Sequence, residues 1–454
     1  MNTSSDTREA TETRLRSLRE ALESGTLRAV RRTVHALHPA EIAQLLESLP
    51  PAKREVVWEL VDPEDDGEVL LHVNDELRAH LIRGMDDEEI LAATEGLDVD
   101  DLADLVADLP EELTQQLLLS LDKQNRDHLT GLLSYDEDSA GGLMNPDTVT
   151  VRPDVTVDTL LRYLRMRGEL PQNTDSIFVV NRYGRYLGML AVTRLITASP
   201  DAAVAEIMST EIAGIPVDLE ALDVVKLFED RDLVSAPVVD PQGRLMGRIT
   251  VDDVVDVLRD DAEHTMMSMA GLDEEEDMFA PILRSTRRRA IWLGINLATA
   301  ILASWVVGRF QATIDQLVAL AVLMPIVASM GGVAGSQTLT LMIRGLALKQ
   351  INEGNAVVLV RREVAISILN GLLWAMFVGV VATLWFDTWG LGAVIAVAMM
   401  INLLAGTLAG FFVPLLLRRM GVDPALAGSV VMTTVTDVVG FFSFLGLAAL
   451  FLVG

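Results

Sequence analysis

Residues 430–444 read VVMTTVTDVVGFFSF. They place one carboxylate, Asp437, near the middle of the last of several long apolar runs. An ionised side chain at the centre of a bilayer is unfavourable by at least about 2.5–3.5 kcal/mol unless it faces water, a partner or an ion. Hydroxyls and a small residue flank it: Thr433, Thr434, Thr436 and Gly440. The stretch predicts a membrane span on an ion pathway, with an acid paired to a neighbouring helix as the alternative.

Five apolar runs are long enough to cross about 30 Å of hydrocarbon. They cover 290–309, 317–343, 364–386, 391–417 and 425–453. Lys and Arg cluster before the first run, between the second and third, and between the fourth and fifth, whereas the other two loops carry only Arg309. The positive-inside rule then predicts a multi-pass protein of the cytoplasmic (inner) membrane, with the N-terminus in the cytosol and the C-terminus outside. Residues 1–16 lack the apolar core of a signal peptide, which agrees with this orientation.

The charge is distributed unevenly along the 454 residues. From Arg284 onward there are 11 Lys/Arg and 6 Asp/Glu, against 25 and 59 before it, so the two parts carry +5 and −34. A region that acidic repels itself and gains stability from bound cations. It also repels the phosphates of nucleic acid, which is therefore excluded as a partner.

Several chemistries are excluded by composition. The chain has no cysteine, so disulfides and thiolate metal sites are ruled out, and its six His lack the spacing of a zinc site. No nucleophile–base pair or catalytic metal cluster is evident, so we do not expect an enzyme.

Apolar residues at three and four spacing predict only helices in residues 1–137. The segment 40–50, AEIAQLLESLP, recurs as 100–110, DDLADLVADLP, which predicts stacked helical hairpins in a short superhelix. Most acids of this domain are expected to lie on solvated faces.

Residues 138–262 alternate short β-rich runs with helices, and the pattern occurs twice. SIFVVNRYGRYLGMLAV at 176–192 parallels SAPVVDPQGRLMGRITV at 235–251. These repeats resemble a tandem pair of CBS (cystathionine β-synthase) motifs, an α/β Bateman module. Such modules bind adenine nucleotides through a G-x-x-T-x-x-D element, present here as GRITVDD at 247–253. The resemblance implies ATP as a regulator, held by Thr250 and Asp253, with a ligand-free dimerising module as the alternative.

The segment that follows is predicted to bridge the soluble and membrane parts. Acids crowd the start of an amphipathic helix, and a long connecting helix is expected over 263–289. Further on, the acidic run DEEED at 273–277 is expected to be solvated.

The second apolar run contains the sequence MPIVASMGGVAGSQ at 324–337. Pro, glycines and polar groups at bilayer depth predict an interrupted helix, since irregular backbone is tolerated there only where it lines protein or water. Close packing of helices is the alternative explanation for the glycines. Interhelical hydrogen bonds are the expected role of Asn296, Asn370 and Asn402.

Taken together, the chain resembles the MgtE family of magnesium channels and transporters over essentially its whole length. The most specific membrane matches are GVDPAL at 421–426 and Thr436-Asp437 followed by Gly440. One departure is that the family's usual Gly-Gly-Asn-x-Gly-Asn-Gln stands here with Val333 and Ser336 in place of the two amides. The resemblance implies an all-α superhelical N-domain, a CBS module, a connecting helix and a transmembrane domain of five helices at 290–454, assembled as a homodimer in membrane lipid.

The resemblance also implies the residues of the ion sites. Asp437 and Asp423 are implied to bind Mg²⁺ in the pore. The pore lining is implied to include Gly331, Gly332, Gly335, Ser336 and Gln337. The ligands of a cytosolic Mg²⁺ sensor are implied to be Asp100, Asp101, Asp232, Asp253 and Asp256.

The function that these features favour is a Mg²⁺-gated, Mg²⁺-selective importer that closes when Mg²⁺ bridges its acidic cytosolic domains. Two alternatives stay open from the sequence. One is a carrier for divalent metals (Mg, Co, Ni or Mn) coupled to another cation, and the other is a nucleotide-sensing membrane receptor that transports nothing.

Overall fold

The computed structural model describes residues 27–107, 109–272, 277–351 and 354–453. They form two compact units, 27–262 with 277–280 and 263–272 with 281–453. The predictions for residues 1–26 and for 273–276 of the acidic run lie outside the described residues.

Within the described part of the N-domain, nine short helices follow one another, which confirms the all-α prediction. They are α1 Leu27–Val34, α2 Pro39–Glu47, α3 Pro51–Trp58, α4 Asp66–His72, α5 Asp75–Ile82, α6 Asp87–Ala93, α7 Val99–Ala107, α8 Glu111–Ser120 and α9 Lys123–Leu132. Acids at helix starts act as caps: Asp86 accepts from the Glu89 amide, and Asp122 accepts from the amides of Gln124 and Asn125. Such caps explain why helices this short form here.

The CBS module contains two similar three-stranded sheets. The first repeat has β1 Thr150–Val151, α10 Val157–Arg167, β2 Ser176–Val180, β3 Tyr186–Ala191 and α11 Val192–Thr197. The second has α12 Val204–Ile207, β4 Ile215–Pro216, α13 Ala221–Arg231, β5 Ser235–Val239 and β6 Leu245–Thr250. In each sheet the first strand pairs in parallel with the second and the second pairs antiparallel with the third. The predicted tandem repeat is confirmed.

The apolar core of the second repeat continues into the N-domain. Leu102 and Val106 of α7 belong to the same buried cluster as Ile215 and Val238 of the second sheet. The last helices of the N-domain are therefore held to the CBS module by apolar packing.

The long connecting helix is present, but its bounds differ from the predicted 263–289. Helix α14, Val251–Ala270, begins directly after β6. It ends early because Gly271 has φ +69° and the Leu272 amide bonds back to the Met267 carbonyl, as in a left-handed helix end. The basic residues predicted at its far end belong instead to the next helix.

The second unit contains five helices long and apolar enough to cross a membrane, as predicted. They are α15 Ile282–Gly308, α17 Ala319–Ala347, α18 Ala356–Phe386, α19 Trp389–Arg419 and α20 Pro424–Ala448, with the short α16 Gln311–Gln316 after the first and a π-helical turn Ala449–Val453 at the end. Helix α19 is the most buried of the five and packs against α17, α18 and α20.

Candidate ion pathway and carboxylate cluster

Asp437 lies on the edge of the packed face of α20. Residues 432, 436, 440 and 444 are buried at four-residue spacing, whereas Asp437 is only half-buried. Ser429 and Thr433 precede it by two turns and one turn on the same face. Together these three form a polar stripe along the last span. Among the described residues, Asp437 has no hydrogen bond or ion pair, so its charge is compensated by none of them.

The hydroxyls around Asp437 bond within their own helix. Thr433 donates to the Ser429 carbonyl at 2.9 Å, Thr434 to the Val430 carbonyl at 2.6 Å, and Thr436 to the Thr433 carbonyl at 2.9 Å. Their oxygens keep lone pairs that can accept hydrogen bonds. The stripe can therefore accept hydrogen bonds from the water shell of a hydrated ion.

Asp423 caps the N-terminus of α20. Its two carboxylate oxygens accept from the amides of Ala425 at 2.9 Å and Leu426 at 3.0 Å, and Nε2 of His264 lies 3.6 Å from Oδ2. This capping role is a structural one, and the metal-binding role of Asp423 stays a prediction.

The prediction that the second span is interrupted is wrong, because α17 is continuous through Pro325 and the glycines. A Cβ on Gly406 would clash with the Gly331 carbonyl, and one on Gly410 with the Gly335 carbonyl. These glycines therefore allow the backbones of α17 and α19 to touch. The close-packing alternative explains Gly331 and Gly335, which are buried, whereas Ser336 and Gln337 are exposed on the described chain. Gly332 lies on the side of α17 that approaches α20, where an added Cβ would stand 4.0 Å from Oγ1 of Thr436.

Asn402 makes the predicted interhelical hydrogen bond. It is fully buried on α19 and donates to the Val327 carbonyl of α17 at 2.8 Å. A Cβ on Gly440 would come within 2.7 Å of its Nδ2, so Asn402 packs against α20 as well. The prediction is wrong for Asn296, which bonds to the Trp292 carbonyl of its own helix, and Asn370 is exposed.

The tight packing of glycine on glycine leads to a first prediction. We expect Gly406→Val to destabilise the membrane domain by about 1–3 kcal/mol or more, because backbone atoms would have to move to make room. The measurement is the melting temperature of the full chain in detergent. Gly294→Val is the matched control, because a Cβ there meets open space. Equal melting temperatures for the two variants would contradict the packing role.

In the cytosolic unit, acids from the start of α7 face acids from the start of α14. We call this set the carboxylate cluster: Asp98, Asp100, Asp101, Asp252 and Asp253. Asn145 of the CBS module donates to Asp100 at 3.0 Å and to Asp98 at 3.4 Å. Asp253 accepts from the amide and hydroxyl of Thr250 at 2.9 and 3.0 Å. The cluster thus lies between the N-domain and the CBS module.

The cluster contains much more negative than positive charge. Burial, followed by repulsion from neighbouring carboxylates, raises the pKa of Asp100 and of Asp101 to about 7. Burial, with the charge of Asp100, also raises the pKa of Asp253 to about 7, against the hydrogen bonds from Thr250. Arg248 is the cation that favours ionisation of Asp98. A proton or a metal ion is needed to relieve this repulsion.

The described carboxylates and histidines contain no group of three placed to hold a metal ion directly. Mg²⁺ does not require one, because it sheds water reluctantly and is commonly bound through one or two carboxylates with its other positions occupied by water. The cluster therefore suits a hydrated Mg²⁺ held between α7 and α14.

Sequence reasoning gave two members of the cluster on α7 and one on α14, and it missed Asp98 and Asp252. The spacing of the α7 acids opposite the apolar face of that helix was the available signal. Two further predicted sensor residues lie outside the cluster. Asp256 is 62 % exposed and pairs with Arg259 at 3.6 Å, and Asp232 is exposed at the left-handed end of α13.

A cleft of about 610 Å³ opens between the two CBS repeats. Its lining includes Asn173, Asp175, Asp252 and Asp256. Asn173 donates to Asp252 at 2.7 Å. The three acids disfavour a bare polyphosphate and favour one that carries a metal ion.

Comparison with known protein families matches the N-domain, the CBS module and most of the membrane domain. Residues 37–138 match the MgtE intracellular N domain, 140–201 and 204–260 match the CBS domain, and 324–447 match a family described as divalent cation transporter. The magnesium transporter MgtE of Thermus thermophilus is 33% identical over 441 residues, which cover 96% of this chain and 98% of that protein. The chain belongs to the MgtE family of magnesium transporters.

A second relative agrees with the MgtE assignment, and one solved structure is similar to part of the chain. The magnesium transporter MgtE of Bacillus subtilis is 27% identical over 431 residues, covering 95% of this chain and 96% of that protein. A crystal structure of the cytosolic domain of the Mg²⁺ channel MgtE in complex with ATP is 37% identical and covers 54% of this chain and 99% of that chain, with a TM-score of 0.49.

MgtE membership bears on three predictions made from the sequence. The protein is a multi-pass membrane transporter of Mg²⁺ with cytosolic N-terminal domains. It is not an enzyme, because the family consists of transporters and channels. The alternative of a receptor that transports nothing is therefore excluded.

The raised pKa values of the cluster predict how packing of α7 against α14 depends on pH. Their packed-state values lie near 7, above the ordinary value of about 4, so the packed state takes up protons. Without Mg²⁺ we expect this packing to be stable at low pH and to weaken as the pH rises through about 7. The measurement is the amide-exchange protection factor of α7 in the full chain with EDTA at pH 6 and pH 8. Saturating Mg²⁺ should reduce the difference in protection between pH 6 and pH 8. Greater protection of α7 at pH 8 than at pH 6 in EDTA would contradict the predicted pH dependence.

Proposed function

We propose that the protein is a homodimeric channel that imports Mg²⁺ and that closes when Mg²⁺ occupies the carboxylate cluster. The observation that carries the proposal is that acids of α7 and α14 meet where the N-domain packs on the CBS module, and that a cation or protons can relieve their repulsion. The C-terminus is proposed to lie outside, in agreement with the positive-inside rule.

In the pore, Asp437 from each subunit is proposed to face the axis. At 4 Å and an effective dielectric constant of 20, each pair of opposite unit charges attracts by about 4 kcal/mol. Two carboxylates therefore attract a divalent ion strongly. The polar stripe of Ser429 and Thr433 supports passage of an ion that keeps its water. Asp423, at the cytosolic end of the same helix, is the proposed second pore site.

The exposed part of the second-span motif completes the proposed lining. Ser336 and Gln337 are exposed on the described chain, and Gly332 approaches Thr436 beside Asp437. Gly331 and Gly335 also belong to the pore lining implied by the family resemblance. We assign them the role of letting α17 pack closely on α19, which positions the lining residues.

Gating is proposed to depend on two opposed effects. The apolar core shared by α7 and the second CBS repeat holds the two domains together, whereas the unneutralised cluster pushes α7 from α14. Because these effects oppose one another, a ligand that binds only the packed state can shift the equilibrium. Asp232 and Asp256 remain proposed sensor residues on the family resemblance.

ATP is proposed to modulate the same equilibrium, with Thr250 and Asp253 as its ligands on the CBS resemblance. In the sequence these two residues flank Val251 and Asp252, which line the cleft between the CBS repeats. Asp253 belongs both to this proposed site and to the cluster. A nucleotide that bonds to Asp253 therefore changes the cation affinity of the cluster, and the coupling is reciprocal. The expected result is that ATP shifts the Mg²⁺ concentration that half-inhibits flux.

The test is Mg²⁺ uptake into proteoliposomes that contain a Mg²⁺-sensitive dye, with no proton or sodium gradient. Passive flux that high Mg²⁺ on the domain side suppresses is the expected result. Flux only under an imposed gradient would instead identify a coupled carrier for divalent metals.

A further inference from the structure

Arg54 is an arginine buried in the N-domain, with 3% of its surface exposed. It lies on α3, and its Nε donates to the Leu46 carbonyl at 2.7 Å while Nη2 donates to the Glu47 carbonyl at 3.2 Å. Both carbonyls belong to the C-terminal end of α2, where backbone acceptors lack partners within the helix. These bonds fix the guanidinium between α2 and α3.

The remaining donors of Arg54 reach a residue 223 positions later in the sequence. Nη2 donates to Oδ1 of Asp277 at 2.6 Å, and Nη1 donates to Oδ2 of the same carboxylate. Asp277 is 7% exposed, so the paired charges are almost completely removed from water. A bidentate buried pair depends strongly on both partners, because loss of either leaves a buried charge uncompensated. The expectation that the acidic run is solvated is therefore wrong for Asp277.

Additional contacts hold the residues around Asp277. The Phe279 amide donates to Oδ1 of Asp277 at 3.0 Å, and the Asp277 amide donates to Glu76 of α5 at 3.3 Å. The guanidinium carbon of Arg54 lies 5.3 Å from the centre of the Phe279 ring, within range of a cation–π interaction. Met278, between them, is 89% exposed. The segment is thus held at Asp277 and Phe279.

These contacts attach the N-domain to the chain just before the membrane. Asp277 precedes Ile282, the first residue of the first span, by five positions, or at most about 18 Å of extended chain. The segment also lies downstream of α14 in the sequence. If the N-domain moves farther than the chain between Asp277 and Ile282 can extend, it must either release Asp277 or displace the start of α15.

We propose that Arg54 and Asp277 form a latch that couples the N-domain directly to the first membrane span. The latch rests on the gating proposed above and adds a second route to it, because N-domain movement then reaches the membrane without passing through α14. When the latch is closed it restrains the start of α15, and it stabilises the same closed state that Mg²⁺ in the carboxylate cluster stabilises.

The test is the Mg²⁺ dependence of flux for full-length Arg54→Met, Asp277→Asn and the double variant. We expect each single variant to raise the half-inhibitory Mg²⁺ concentration at least threefold. The double variant should raise the half-inhibitory Mg²⁺ concentration no more than either single variant does, because all three lose the same contact. Arg162→Met is the matched control, because it breaks the exposed pair with Asp158 on α10.

Asp277→Asn leaves every N-domain residue unchanged, and the melting temperature reports whether the N-domain stays folded around the unpaired Arg54. Amide exchange of 277–280 should increase in both single variants. A half-inhibitory Mg²⁺ concentration equal to that of the unmodified chain, or unchanged amide exchange of 277–280, would overturn the latch. An unmodified chain that Mg²⁺ does not inhibit would overturn the proposed gating and the latch with it, so the two failures are distinguishable.

Discussion

Asp437→Ala is expected to reduce Mg²⁺ flux by about 100-fold or more while leaving assembly intact. The variant removes the attraction that the proposed pore exerts on a divalent ion, and a loss of only about 2.8 kcal/mol of that attraction corresponds to a 100-fold effect. Folding is not expected to suffer, because no described residue bonds to Asp437 and an uncompensated charge leaves the membrane. The measurement is dye-reported uptake in proteoliposomes, with size-exclusion chromatography to follow assembly.

Asp387→Asn is the matched control for that variant. It removes one carboxylate from the membrane unit at a left-handed position between two spans, with φ +49°, where Asn is well tolerated. Near-normal flux in Asp437→Ala, or equal losses in both variants, would contradict the pore assignment.

Asp101→Asn combined with Asp253→Asn is expected to raise the half-inhibitory Mg²⁺ concentration at least tenfold. The pair takes one carboxylate from each side of the α7–α14 contact, so a Mg²⁺ held between the helices loses a ligand on both. Asp98, Asp100 and Asp252 still repel one another, so the open state remains favoured at low Mg²⁺. The measurement is flux as a function of Mg²⁺ on the domain side.

The control for this double variant makes the same charge change elsewhere in the CBS module. Asp154→Asn with Asp158→Asn alters two acids whose side chains pair with nearby arginines on the described chain. Unchanged Mg²⁺ inhibition in Asp101→Asn/Asp253→Asn would show that the Mg²⁺ sensor is not the carboxylate cluster. Equal shifts in the two double variants would indicate a response to net charge rather than to a particular site.

The five spans, the tandem repeat and the order of the domains could be predicted from the sequence, because periodicity and length indicate them locally. Five apolar runs gave five spans, and the repeat at 176–192 and 235–251 gave two matching sheets. Helix bounds were less predictable. The connecting helix ends at Ala270 because Gly271 adopts a left-handed conformation there. Glycine can adopt several backbone conformations, so its presence alone did not predict the helix end.

Contacts between distant segments could not be predicted in the same way. The glycines of the second span are compatible with a broken helix and with close packing of two helices. The positions of Gly406 and Gly410 on α19, against the backbone of α17, show that close packing is correct. Asp277 belongs to a run of acids that is typical of solvated loops. Its burial depends on Arg54, which lies 223 positions away.

The most direct test is to measure flux and the amide-exchange protection of α7 on the same full-length protein across one Mg²⁺ titration. We expect flux to fall as protection of α7 rises, with the same midpoint for both. Inhibition of flux at Mg²⁺ concentrations that leave the protection of α7 unchanged would contradict gating by the carboxylate cluster.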